Sequence, residues 1–206
     1  MKEIIKNSII LCLITLVAGV LLGFVYEVTK DARAEQEEKA KQKAYKKVFE
    51  SADSFENYEF DKEQMELYLK DNGYSAKVAQ IDNVVIAKDN KNENIGYVIT
   101  VTDKEGYGGD VTFTLGINGD GTINGISFLT LNETAGVGMK AAEGKFKNQF
   151  AGKKVDSFVY VKNGAKDENE IDAISGATVT TNAVTNGVNA GILCFKFLQE
   201  GGISNE

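Results

Sequence analysis

From Ile9 to Tyr26 the chain is almost wholly apolar, and no charged side chain occurs between Asn7 and Tyr26. At about 1.5 Å per residue a helix of this length crosses the roughly 30 Å hydrocarbon core of a bilayer. A transmembrane anchor is therefore expected within residues 1–27. A cleaved signal peptide would use Ala32-Arg33-Ala34, but its apolar region should be shorter and its cleavage site should not sit among charges. A lipoprotein site at Cys12 fits less well, because Leu11 precedes it and the apolar run continues well beyond it. Past the anchor the pattern changes. Val28 to Glu50 is rich in charge, with Glu35/Lys39 and Glu37/Lys41 opposed at i,i+4 and a thin apolar stripe of Ala40, Ala44, Val48 and Phe49; it reads as a helix. A second, short helix is expected from Asp61, with Gln64 completing a capping box, to a stop before Gly73. Residues 28–72 are thus juxtamembrane and connecting helices, and residues 73–206 the main domain.

From Val84 the period becomes that of strands. Val84 to Ile86 and Tyr97 to Val101 flank the polar run Lys88 to Asn94; Val111 to Leu115 and Ile123 to Leu131 flank the turn Asn118-Gly119-Asp120-Gly121. These form an antiparallel meander. The last turn offers oxygen ligands at Asn118, Asp120 and Asn124, but Ile123 and Leu129 stand where a calcium loop needs glycine and a bidentate glutamate. It reads as a hairpin. A short helix over Ala141 to Phe150, a strand from Phe158 to Val161 and a polar loop from Lys162 to Glu170 follow. Thr181 to Leu198 closes the chain as a helix with Val184, Val188, Ile192, Phe195 and Leu198 on one core-facing side, stopped by Gly201-Gly202. The fold class is α+β: one amino-terminal transmembrane helix, then an antiparallel sheet with packed helices.

Composition narrows the chemistry. The 206 residues contain no histidine, which excludes triads built on it, and two cysteines, Cys12 and Cys194, too few for a zinc or iron–sulfur site. No metal ligand set and no catalytic residue is assigned, so redox chemistry here needs an organic cofactor. The net charge is −7; with Lys2, Lys6 and Glu3 placing residues 1–26 at +1, the rest carries −8. Nucleic-acid binding is disfavoured. Orientation is not settled by charge, since Lys2 and Lys6 on one side of the span face Lys30, Arg33, Lys39 and Lys41 on the other.

The stretch that carries candidate chemistry is Asp172-Ala173-Ile174-Ser175-Gly176-Ala177-Thr178, with Val179 and Thr180 after it. Small residues at 175–177 let backbone approach a bulky ligand, and the first amides of a helix starting near Thr178 would suit a phosphate. The plainer reading stands beside it: Thr178, Thr180 or Thr181 could simply cap the last helix, with Gly176 serving a tight turn. Two glycine-rich segments upstream, Gly106-Tyr107-Gly108-Gly109 and Leu131 to Lys140, fall at strand ends where a flat ligand can meet exposed backbone.

The last stretch resembles the Asp-x-x-Ser/Thr-Gly-Ala-Thr flavinylation motif of the FMN-binding domain family, found in the G subunit of the Rnf complex and the C subunit of sodium-pumping NADH:quinone oxidoreductase. The order of segments over residues 84–198 is similar too: Gly-Tyr-x-Gly, a turn, then Glu-Thr-Pro-Gly-Leu-Gly, with Ala135 in place of the proline and Val137 in place of the leucine. The resemblance implies FMN joined through a phosphoester to Thr178, with Asp172, Ser175, Gly176, Ala177 and Thr180 of the motif and Tyr107, Glu133, Thr134, Gly136 and Gly138 of the loops as cofactor-binding residues; Glu133 and Thr134 would be ring contacts. It further implies an FMN-binding domain within 73–206, outside the cell and anchored in the cell membrane with the amino terminus in the cytoplasm. A flavin transferase would install the group from FAD. The implied function is an electron-carrier subunit of an Rnf-type ferredoxin:NAD oxidoreductase, among other membrane and peripheral subunits that translocate sodium or protons. The short length favours this over the quinone-reductase C subunit. Two further readings stay open: a membrane-anchored flavin sensor, and an extracytoplasmic binding domain in which the threonine motif is only a cap.

Overall fold

A computed structural model describes residues 1–201; Gly202, half of the expected helix stop, lies outside them. Helix α1 runs without a break from Lys2 to Val48. The two helices expected on either side of residue 27 are therefore one, as the chain has no proline and no glycine between Gly23 and Val48 to interrupt it. The described residues form two compact units, 1–41 and from Gln42 onward.

The first unit is the membrane anchor. Its helix is long and apolar enough to cross a bilayer, and side chains such as Ile9, Leu16, Leu22 and Phe24 are exposed around it. A helix apolar on all sides is suited to lipid. The hydroxyls inside the span are satisfied locally: Ser8 donates to the Ile4 carbonyl at 2.9 Å and Thr15 to those of Leu11 and Cys12 at 3.1 and 3.0 Å. Beyond the span, Lys39 pairs with Glu35 one turn back, and Arg33 lies over the Tyr26 ring.

The second unit is a five-stranded sheet in sequence order, β1 (Ser54–Tyr58), β2 (Ala79–Lys88), β3 (Asn94–Asp103), β4 (Val111–Asn118) and β5 (Ile123–Leu131), every neighbouring pair antiparallel. The meander is as expected, with an extra strand at its start. Helix α2 (Lys62–Asp71) begins at Asp61, whose carboxylate accepts the Glu63 and Gln64 amides. Gln64 returns a side-chain bond to the same carboxylate, so the cap is closed between side chains.

Helix α4 (Thr178–Gln199) lies on one face of the sheet. Gly187 and Gly191 make this approach possible, because a Cβ there would stand 2.8 Å from Phe113 and 2.5 Å from Leu115. Val184, Val188, Ile192 and Leu198 are buried as the spacing required, whereas Phe195 is half-buried and meets Tyr97 edge-on. The opposite face is covered by the end of α1 and the turn after it: Tyr45, Val48, Phe49 and Ala52 pack on Val85, Ala87 and Val98. Ala44 is buried as well, while Ala40 of the same stripe is exposed.

Between β5 and α4 the expected ten-residue helix is absent. A short 3-10 turn (Gly138–Ala142) and a one-turn helix α3 (Gly144–Lys147) replace it, split where Glu143 takes an extended conformation. The strand near Phe158, β6 (Val159–Val161), pairs in parallel with β7 (Glu170–Asp172), so the loop expected to reach Glu170 ends in a strand. Asn189 of α4 secures this edge, accepting the Phe158 amide at 2.7 Å and donating to its carbonyl at 3.0 Å. β7 and α4 thereby hold the two ends of the segment from Asp172 to Thr178.

Candidate functional site

Thr178 is the first residue of α4, three positions earlier than the apolar spacing suggested. Ala177 occupies the cap position with φ −130° and ψ 52°, and no side chain caps the helix. Thr181 serves elsewhere, donating to the Ala177 carbonyl at 2.8 Å and accepting the Ile174 amide at 3.1 Å. The reading in which a threonine merely caps this helix therefore fails: the first-turn amides are left to an incoming acceptor. Gly176 has φ +78°, a left-handed turn that costs glycine nothing and that brings the chain back to start the helix.

A cavity of about 450 Å³ opens at this helix end, within the range of small-molecule sites. The carboxyl-terminal half of the motif forms one wall, with Gly176, Ala177, Thr178 and Thr180; Tyr107, Glu133, Thr134 and Gly138 form the other. Eight residues singled out from sequence thus meet around one space. Val137 and Val179 line it too; sequence does not mark them, because an isolated valine beside a motif gives no chemical signal. Gly136 does not line the cavity, but with φ +72° it turns the loop so that the Val137 and Met139 amides both reach the Thr134 carbonyl. Asp172 and Ser175 face the other way.

Glu133 is the centre of the loop wall. Its side chain is buried, and Oε1 accepts the Tyr107 amide at 2.8 Å and the Gly108 amide at 3.4 Å, tying the two glycine-rich loops together. Oε2 has no partner among the described residues. Gly138 is required beside it, since a Cβ would lie 2.7 Å from Glu133 Oε2 and 2.8 Å from Thr180 Oγ1. Gly108 is as constrained, its missing Cβ falling 1.8 Å from the Asn132 carbonyl oxygen. The Tyr107 ring stands exposed at the rim.

Behind this loop, β3 ends in a fully buried carboxyl. Asp103 Oδ1 accepts the Glu105 amide at 2.8 Å, at the entry to the Tyr107 loop, and Oδ2 is unpartnered among the described residues. Burial pushes its pKa up to about 7; the Glu105 amide opposes the shift, and the nearby Glu105 and Asp110 charges add to it. Nothing in the sequence distinguishes this aspartate from the acidic residues around it. Cys194 is buried in α4 with its thiol pKa raised by desolvation, which suits packing and not reactivity.

Residues 106–192 match the family described as FMN-binding domain, and residues 1–48 match the RnfG N-terminal region. A relative in Acetobacterium woodii, the G subunit of a Na(+)-translocating ferredoxin:NAD(+) oxidoreductase complex, is 34% identical over 97% of this chain and 95% of its own. The chain belongs to the G-subunit family of the Rnf complex. Another relative, the G subunit of the proton-translocating ferredoxin:NAD(+) oxidoreductase complex of Clostridium ljungdahlii, is 29% identical over 92% of this chain and 88% of its own. Among solved structures, the C subunit of the Na(+)-translocating NADH-quinone reductase of Parabacteroides distasonis aligns with a TM-score of 0.49 and 27% identity, over 61% of this chain and 65% of that one.

The residues of this family member fit FMN. The uncapped end of α4 offers amides to a phosphate; Gly138 and Gly176 are two lining positions without a side chain; and Tyr107, Val137 and Val179 supply apolar surface. Among the described residues no lysine or arginine lines the cavity, so the helix-end amides are what meet a phosphate's charge there.

Proposed function

We propose that the chain is the electron-carrying G subunit of a membrane-bound ferredoxin:NAD oxidoreductase that moves sodium or protons, with FMN held covalently on Thr178. The observation that carries the reading is the meeting of the two glycine-rich loops with the uncapped end of α4 around one cavity, with the Thr178 hydroxyl exposed at its edge. Bound FMN supplies the electron-accepting and electron-donating chemistry. Amides of the first turn of α4 hold the phosphate, and as a diester it carries one negative charge that the helix dipole offsets. Glu133 keeps the Tyr107 loop against the Thr134 loop, and Glu133 and Thr134 orient the ring within the 73–206 domain. The exposed Tyr107 ring covers the open side.

Thr178 is an attachment point and takes no part in turnover. A phosphoester tether prevents loss of the flavin outside the cell, where we place the domain, with the amino terminus in the cytoplasm. A flavin transferase installs the group from FAD. The span itself has no carboxylate, lysine or arginine from Asn7 to Tyr26, which leaves the ion path to the partner subunits.

Two measurements test this. With a flavin transferase co-expressed, the denatured wild-type chain is expected to fluoresce in a gel, and Thr178→Ala to lose the signal completely while keeping its thermal melt; fluorescence retained by Thr178→Ala would place the flavin elsewhere. The chain should also co-purify with several polytopic membrane subunits, and isolation as a lone flavoprotein would contradict the relay.

A further inference from the structure

The turn from Asp172 to Thr178 is a partition with a second cavity, of about 420 Å³, on its other side. Asp172 and Ser175 line that space together with Lys140, Lys145 and Lys162. All three lysines are exposed, and none forms an ion pair among the described residues. Glu143 and Asp172 are the carboxylates there, and Asp172 is engaged, its Oδ1 accepting the Ala165 amide at 2.8 Å. In a chain of net charge −7, this lining has an excess of cations. The turn is held firmly from this side as well: Gln149 accepts the Asp172 amide at 2.6 Å and donates to its carbonyl at 3.2 Å. Ser175 is exposed, with no side-chain hydrogen bond of its own among the described residues.

An enzyme that modifies Thr178 must grip the turn while the flavin enters. The first cavity is taken by the incoming ring, which leaves the lysine side. We propose that the cavity lined by Lys140, Lys145, Lys162 and Ser175 is the docking face for the flavin-loading enzyme, which presents carboxylates to it. This rests on the assignment of FMN to Thr178. In the loading step the Thr178 Oγ–P bond forms and the P–O bond of the FAD pyrophosphate breaks; AMP leaves with the electron pair, and the threonine proton passes to a base of the loading enzyme. The residues in the amino-terminal half of the motif then have a task that the finished flavin site does not give them: they are read once, during maturation.

The test is the initial rate of covalent flavin incorporation into the full-length chain by purified flavin transferase and FAD, read by in-gel fluorescence against chain concentration. Reversing Lys140, Lys145 and Lys162 together to glutamate is expected to lower kcat/KM at least about tenfold, mostly through KM, because opposed charges steer and register such encounters. Arginine at all three positions should keep the wild-type rate, and added salt should slow the wild type more than the reversed chain. If the reversed chain melts early, glutamine at the three positions serves in its place. Wild-type rates in the reversed or glutamine chain would overturn the inference, as would an equal loss on reversing Lys70, Lys77 and Lys91, which line neither cavity. A wild-type chain that accepts no flavin on Thr178 would instead remove the assignment beneath it.

Discussion

The two cavities flanking the Asp172–Thr178 turn are nearly equal in volume, about 450 and 420 Å³, and opposite in construction. The first is walled by backbone, small residues and the buried carboxylate of Glu133, with Asp103 buried behind its loop. The second is rimmed by long, exposed cations. Buried groups with fixed hydrogen bonds hold a geometry; exposed lysines on flexible stems adapt to whatever arrives. In the proposed assignment, one turn separates the place that retains the flavin from the place that is visited during loading. Removing a hydrogen-bond acceptor from the first side should therefore cost the fold more than removing one from the second, and the first side alone should carry a buried charge that responds to pH.

The largest effect is expected at Asp103. Its pKa, raised to about 7 in the fold, means that its contribution to stability is fully present below about pH 3.8, the ordinary carboxyl value, and is lost as pH rises through about 7. Relative to Asp103→Asn, wild-type thermal stability should fall across this window by an amount worth about a few kcal/mol, so that Asp103→Asn melts higher than wild type at pH 8. Parallel curves for the two chains would show that the buried carboxyl does not titrate as described. Glu133→Ala comes next: it leaves the Tyr107 and Gly108 amides without their acceptor, at a cost of about 2 kcal/mol in chemical denaturation, with faster hydrogen exchange in both loops. Unchanged exchange at Tyr107 would contradict its tying role. Gln149→Ala, on the lysine side, removes two bonds from a surface-accessible turn and should cost about 1 kcal/mol; a loss larger than that of Glu133→Ala would reverse the comparison.

Much of this arrangement was legible in the sequence, for reasons specific to each part. The span, the central strands and the closing helix follow from long apolar periodicity, and the two cavity-lining loops from glycines whose order along the chain matches a family. Residues that depend on tertiary pairing were hidden. β1 is Ser-Phe-Glu-Asn-Tyr, too short and polar to declare itself, and it exists because β2 offers an edge from Val84 to Lys88. The first half of β2 was masked by Asp82 and Asn83 at a register shift, where Asp82 accepts the Thr102 hydroxyl at 2.6 Å. β7 has one apolar residue, Ile171, and forms only against β6. Spacing within Asp172–Thr178 also cannot say on which side of a turn each residue points. Hence Asp172 and Ser175, grouped with Thr178 by motif, face the lysines, while Gly176, Ala177, Thr178 and Thr180 face the first cavity.

The central claim, that this turn is the covalent seat of FMN, is tested most directly by intact mass and peptide mapping of the chain isolated from its own membrane. The expected result is one flavin mononucleotide per chain, joined through phosphorus to Thr178. An adduct on any other residue, or a chain with no flavin mass, would contradict it.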